Sequence, residues 1–523
     1  MKNPLYRKIG IASIIMAVSV VSSRLLGFFR EMVVAWVGGA SSAVDAYQAA
    51  FTLAEILNHV AATGFLSITF IPIFTTCLSQ GKEKEGEEFF SLILNGFGLL
   101  LLLLTIFCMI FTEPLVALLT PGLKGTLAFS QAVYMTRIVL PAQLFFFAGG
   151  LFMAVQFAKE RFLIPALSPL IYNVFIILGG IFLSPKFGMA GFAWGALLGA
   201  FLGAFVLQGF GFFRMGLRYR WILNFRHPIL RQYIKVTLPL ILGLTMTFST
   251  EIFFKFFGSY LPSGGIASIN YAMRLTLVMS GIFGQSLGIA AYPFMAKLVA
   301  ENRLMELNRL LRDALQLLCI IIPMAAWVVL LRYDIVGLLF QRGAFTAANT
   351  IRVGDILGIM IFGAFAFSAQ NLASRGFYAM GNTLLPAVLC TIVTLFSIPV
   401  YWGLMHFMGG KGVALAIVLS SSIQVIVLYT YWCRKTSFSA SPVYWLISKS
   451  LLLSIVLILL IEPLQKKVLA GVGVGPWGIY KFLVVTVSFF VFLIFGAKLL
   501  RISEINKFFS RIFQQCKQMF LSL

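Results

Sequence analysis

Five cationic side chains sit where an aqueous surface cannot explain them: Arg24, Arg30, Arg137, Lys255 and Arg274 all fall inside long apolar stretches. Each costs roughly 2.5–3.5 kcal/mol at a membrane-helix centre. Together they would cost on the order of 12–17 kcal/mol, as much as the net stability of a domain. Such groups persist only by facing water, an ion-pair partner or a ligand. The acids in the same stretches are Glu31, Asp45, Glu55, Glu251 and Asp355. An arginine-lined interior suits an anion, because the planar guanidinium makes bidentate, charge-assisted bonds to phosphate oxygens.

Each cation also has a simpler explanation. Arg24 and Arg30 belong to Ser23-Arg24-Leu25-Leu26-Gly27-Phe28-Phe29-Arg30-Glu31. An ideal helix separates them by about 120°, unless Gly27 bends it. They either bind a ligand or pair with Glu31 or Asp45 as a clamp. Arg274, in Asn270-Tyr271-Ala272-Met273-Arg274-Leu275, answers the Asp45-Ala46-Tyr47 region of the first half. It either joins a shared central site or bridges the two halves. Lys255 follows Glu251 by four residues, the favourable order for an intrahelical pair, so mutual neutralisation is expected. Arg137, close to Pro141, is expected to snorkel or to meet a helix end.

Other chemistries lack their residues. The chain has no Walker A pattern, no HExxH and no compact Ser/His/Asp set, and only three histidines: His59, His227 and His406. Gly471-Val472-Gly473-Val474-Gly475 reads as a loop between spans and not as a nucleotide-binding turn. The six cysteines are scattered without metal spacing and read as small apolar residues. Neither a metal nor a cofactor is expected, and the reading is a transporter and not an enzyme. Uphill work would draw on an ion gradient or on the membrane potential, about 2.3 kcal/mol per charge per 100 mV, which favours outward movement of an anion.

The elements that must position these residues follow from composition. Of 523 residues 60% are hydrophobic and 11% charged, against 45–50% and about 25% in soluble domains. An ordinary soluble enzyme, a disordered chain and a disulfide scaffold are all excluded. A membrane helix needs about 20 apolar residues, and about fourteen stretches qualify, including ones near 9–38, 41–74, 234–260 and 477–500. The basic start reads as the flank of a retained first helix, since no small-residue cleavage site follows. With that end in the cytoplasm, about 26 of the 40 Lys and Arg fall inside, among them Lys159, Arg161 and Arg214, and about 9 outside. The formal charge of +23 is therefore mostly a topology label, and nucleic acid drops out as its explanation. Both termini are expected in the cytoplasm of a multi-pass inner-membrane protein.

Three landmarks recur at an offset of about 220 residues: Pro165-Ala166 with Pro386-Ala387, Pro72 with Pro293, and Glu113 with Asp334. A repeat of six helices is even, so the copies are parallel and share an axis along the membrane normal. The expected fold is an all-α polytopic membrane protein: two pseudo-symmetric six-helix lobes plus two C-terminal helices. The expected domains are 1–213 (helices 1–6), 214–434 (basic linker and helices 7–12) and 435–523 (helices 13–14 and a basic tail). Transporters of this build bind substrate at the interface of the repeats and rock about it.

The residues also carry a resemblance. The Ser23–Glu31 segment, Asp45-Ala46-Tyr47 and Phe70-Ile71-Pro72-Ile73 resemble the opening of the MurJ/MviN lipid II flippase family. Tyr271–Leu275, Leu339-Phe340-Gln341-Arg342-Gly343-Ala344-Phe345-Thr346 and Phe377–Pro386 continue it. The resemblance implies the fold of the multidrug/oligosaccharidyl-lipid/polysaccharide exporter superfamily. It also implies movement of undecaprenyl-pyrophosphate-linked peptidoglycan precursor, lipid II, from the inner to the outer leaflet by alternating access. Arg24, Arg30 and Arg274 would then hold the pyrophosphate, and Asp45 would be functionally important, with Lys255 and Glu251 in support. One departure stands out. Where family members commonly end the second-helix motif in Arg-Arg, this chain has Asn58-His59, with Thr63 and Met273 where acids are common. His59 would supply charge when protonated or a hydrogen bond when neutral, or it is simply packed. Competing readings are an O-antigen or other polysaccharide-lipid flippase, a cation-coupled multidrug exporter, and a membrane scaffold without a transport cycle.

Overall fold

In hydrocarbon a spanning segment must satisfy its own backbone hydrogen bonds, which a single segment does only as a helix. The computed structural model describes residues 4–61, 70–224, 226–228, 249–468, 476–502 and 504–505, and no strand occurs among them. Thr63, Arg231, Lys235, the glycines at 471, 473 and 475, and the tail beyond 505 lie outside the described residues. The chain forms two compact units, Met1–Ala267 with Arg342–Thr346 and Ser268–Gln341 with Ala347–Leu523.

The first unit contains α1 (Pro4–Gly38), α2 (Ser42–Ala61), α3 (Ile71–Ser79), α4 (Glu83–Ile110) and α5 (Thr112–Leu119). It continues with α6 (Leu127–Val139), α7 (Ala142–Ala158), α8 (Leu163–Phe187), α9 (Ala190–Phe213) and α10 (Ser249–Gly258). The second unit takes up α11 (Gly265–Ala300) after its first turn, then α12 (Leu304–Leu330), α13 (Arg332–Phe340), α14 (Ala347–Met360) and α15 (Gly363–Ala379). It ends with α16 (Leu384–Phe396), α17 (Ile398–Met408), α18 (Gly410–Lys435), α19 (Ser441–Val468) and α20 (Pro476–Leu499).

Among the described residues ten helices are long and apolar enough to cross a membrane, or twelve when the bent pairs α14/α15 and α16/α17 each count as one span. Each pair bends by 44° at its break. Twelve is fewer than the fourteen expected. The two expected spans not among them, near 41–74 and 234–260, both contain residues outside the described set. The protein is a multi-pass, all-helical membrane protein.

Close backbone packing builds the first unit. A Cβ on Gly195 would come within 2.4 Å of the Phe175 carbonyl oxygen, and one on Gly179 within 2.6 Å of the Gly191 oxygen. Glycines at 191, 195 and 199 thus let α9 lie directly on α8, the small-residue packing that lipid-embedded helices use. A phenylalanine core fills the rest, with Phe70 stacked on Phe89 at 5.0 Å and Phe90 on Phe212 at 4.5 Å. The loop Arg342–Thr346 joins this unit because Ala344 N donates to the Trp36 carbonyl at 2.8 Å. Gly343, at φ +57°, lies so close that a Cβ would sit 2.4 Å from Trp36 Cδ1.

In the second unit the C-terminal helices α19 and α20 pack on α12 through Ala326, Leu330, Leu457, Phe489 and Leu493. Trp327 Nε1 donates to Thr486 Oγ1 at 3.1 Å, and Lys481 pairs with Asp334 at 3.0 Å. The helix pair outside the repeat is therefore fastened to the second unit. Packing also divides the chain at a different point from the repeat: α10, downstream of residue 213, belongs with the first unit.

Candidate functional site

The first-helix arginines differ sharply. α1 runs unbroken through Gly27. Arg24 is exposed, whereas Arg30 is half-buried. Arg30 Nη2 bonds Glu31 Oε1 at 2.8 Å, and Nη1 donates to Asn173 Oδ1 at 3.3 Å. Asn173 is aimed by its own amide, which donates to the Pro169 carbonyl at 2.9 Å on α8. A clamp to Glu31 forms, as one reading of Arg30 expects. It leaves the guanidinium with donors to spare, since Nε makes no hydrogen bond in the described structure.

Asp45 caps a helix. Its Oδ2 accepts from Gly264 N at 2.6 Å and its Oδ1 from Ala267 N at 2.8 Å, at the first turn of α11. A buried carboxylate there satisfies two amides that have no partner within the helix and meets the positive end of its dipole. Gly264 has φ +83°, a conformation glycine adopts without strain. The helix so capped carries Arg274 ten residues further on. Asp45 is thus a positioning residue for the start of that helix.

Lys255 corrects the intrahelical expectation. Its Nζ lies 2.7 Å from Glu55 Oε2 on α2, and Glu251 is not its partner. The lysine side chain is 4% exposed and the glutamate 36%. Spacing rules for pairs four apart describe isolated helices, and here a buried lysine reaches the acid on the helix packed against it. Glu251 and His59 line one small pocket with Glu55 and Thr52, so α2 and α10 bring Glu55, His59, Glu251 and Lys255 together. Asn58 is half-buried beside them, and its Oδ1 accepts no hydrogen bond in the described structure. Glu55 was visible in sequence only as one acid among five. Its four-residue spacing from His59 was the signal that could have promoted it.

In the second unit Arg274 is half-buried on α11, one turn from the buried Tyr271, whose ring packs 5.1 Å from Phe340. Arg137 is exposed in the last turn of α6, the helix-end position expected for it. Chemically, Arg30 offers guanidinium donors beside the Asn173 amide, and the carboxylates of Glu31, Asp45 and Glu55 are held in hydrogen bonds.

The model of the family described as lipid II flippase MurJ matches residues 34–475 of this chain. The chain belongs to the MurJ family. The match covers Asp45, Glu55, Asn58, His59, Glu251, Lys255 and Arg274, and begins after Arg24 and Arg30. A probable lipid II flippase MurJ from Thermotoga maritima is 25% identical over 490 residues, covering 94% of this chain and 96% of that protein. The lipid II flippase MurJ of Thermosipho africanus is 28% identical over 420 residues, covering 80% and 84%. Among solved structures, lipid II flippase MurJ in an inward closed conformation matches with a TM-score of 0.74 at 24% identity, covering 93% of this chain and 99% of that one. An inward-facing MATE family transporter of the MOP superfamily matches at 0.65 with 16% identity, over 79% and 94%. The chain thus shares its fold with both structures.

Proposed function

We propose that this chain is a lipid II flippase of the bacterial cytoplasmic membrane, with both termini in the cytoplasm. It carries undecaprenyl-pyrophosphate-linked peptidoglycan precursor from the inner to the outer leaflet for cell-wall synthesis, and it is a transporter and not an enzyme. Family membership over residues 34–475 is the observation that carries this reading. The two six-helix copies, 1–213 and 214–434, alternate access to a central cavity. Arg24, Arg30 and Arg274 are the pyrophosphate ligands, each forming charge-assisted bonds of about 1.5–3 kcal/mol. Arg30 keeps Glu31 and Asn173 as its anchors and turns its remaining donors to phosphate. Asp45 sets the start of the helix that bears Arg274. Asn58 and His59 stand where the resemblance puts a basic pair, and Lys255, held by Glu55 on the neighbouring helix, supplies a positive charge beside them. Depleting the protein in its host tests the reading: lipid II should accumulate in the cytoplasmic leaflet, and an unchanged leaflet distribution would overturn it.

A further inference from the structure

The first unit contains a cavity of about 1380 Å³ between the start of α1, the α7–α8 turn and the end of α9. Its walls include Ile11, Ile15, Met16 and Ile164, while Lys159, Arg161 and Arg214 bring three positive charges to it. Glu160 is the acid in the lining. Lys159 is engaged with Glu83 at 3.4 Å. Arg161 and Arg214 are exposed and have no carboxylate partner among the described residues. The volume exceeds the 300–1,000 Å³ of usual small-ligand pockets, and its apolar walls under a cationic rim are those of an amphiphile's site.

Depth in the membrane is marked by the segment that continues from Arg214. It runs extended along α4, where Arg220 N donates to Ser91 Oγ at 3.1 Å and Asn95 donates to the Ile222 carbonyl at 2.9 Å. Trp221 is left 78% exposed, as an interfacial tryptophan would be. The distribution of basic residues assigns this side to the cytoplasm, whose leaflet is anionic. Fourteen residues of continuous helix separate Met16 from Arg30, about 21 Å along the axis, so the cavity is not the site of the clamped arginine.

We propose that this cavity holds an anionic glycerophospholipid of the inner leaflet. Its phosphate meets Arg161 and Arg214, and its upper acyl chains lie against Ile11, Ile15, Met16 and Ile164. Two guanidiniums against the single acid Glu160 favour a lipid with net negative charge and repel the ammonium of a zwitterionic headgroup. Glu160 tunes this selectivity from a special position. It ends α7 with φ +56°, where glycine is the unstrained choice, while Arg161 N closes the turn on the Gln156 carbonyl at 2.8 Å.

The test is lipid retention by the purified full-length protein, read by native mass spectrometry with phosphatidylglycerol and phosphatidylcholine. Phosphatidylglycerol should be retained at least tenfold better. The double variant Arg161→Glu/Arg214→Glu should lower its retention at least tenfold and leave phosphatidylcholine unchanged. Glu160→Gly removes the acid and suits the left-handed turn, so it should raise phosphatidylglycerol retention severalfold. Equal retention of both lipids, an unaltered double variant or an unaltered Glu160→Gly would overturn the proposal. Stoichiometric displacement of phosphatidylglycerol by undecaprenyl pyrophosphate would also overturn it and assign the cavity to the transported lipid.

Discussion

Removing either partner of the Glu55–Lys255 pair should have unequal consequences. At 2.7 Å, Coulomb's law with an effective dielectric of about 20 gives roughly 6 kcal/mol of gross attraction. Desolvation takes back several kcal/mol, and the remainder depends on which charge is left behind. Glu55→Gln strands a lysine that is 4% exposed and cannot hydrate, which should destabilise by about 3–5 kcal/mol. Lys255→Met strands a glutamate that is 36% exposed and so less desolvated, and should cost about 1–2 kcal/mol. Replacing both at once should cost less than Glu55→Gln alone. Glu251→Gln should change stability by less than about 0.5 kcal/mol, since the lysine does not use that acid. Thermal unfolding of the purified protein in detergent, followed by tryptophan fluorescence, ranks the four variants. A Glu251→Gln as damaging as Glu55→Gln, or a Lys255→Met worse than Glu55→Gln, would refute the reasoning.

Asp45→Asn keeps one acceptor but turns an NH2 group toward a buried backbone amide, so one N–H loses its partner at a cost of about 2–4 kcal/mol. A lowered unfolding temperature together with reduced complementation is expected; a protein as stable as wild type would contradict the capping role. Gly343→Val adds a Cβ 2.4 Å from Trp36 Cδ1 at a left-handed φ, and should detach the 342–346 loop from α1. Faster tryptic cleavage after the exposed Arg342 would report that loss. Gly195→Leu forces α9 off α8 and should cost more than about 3 kcal/mol, seen as loss of folded protein from membranes.

Hydrophobic length and charge distribution made much of this legible. Each of the twelve spans found falls on an expected stretch, because apolar run length is a local property. The breaks within α14/α15 and α16/α17 were less visible, since neither lacks apolar residues and the 44° bends arise at Met360–Gly363 and Phe396–Ile398. Local pairing succeeded for Arg30 with the adjacent Glu31. It failed for Lys255, whose partner lies 200 residues away. Asp45 shows the same limit: an acid in a span advertises importance, but nothing near it in sequence reveals that Gly264 and Ala267 are its targets. Lys159, Arg161 and Arg214 read only as orientation labels until the helix ends were brought together around a cavity.

The most direct test is rescue of a strain depleted of its own lipid II flippase, with outer-leaflet lipid II measured by accessibility to an externally added probe. The wild-type chain should restore growth and outer-leaflet lipid II, and Arg274→Ala, expressed and folded, should restore neither. Growth without outward movement of lipid II, or full rescue by Arg274→Ala, would contradict a flippase that grips pyrophosphate through this arginine.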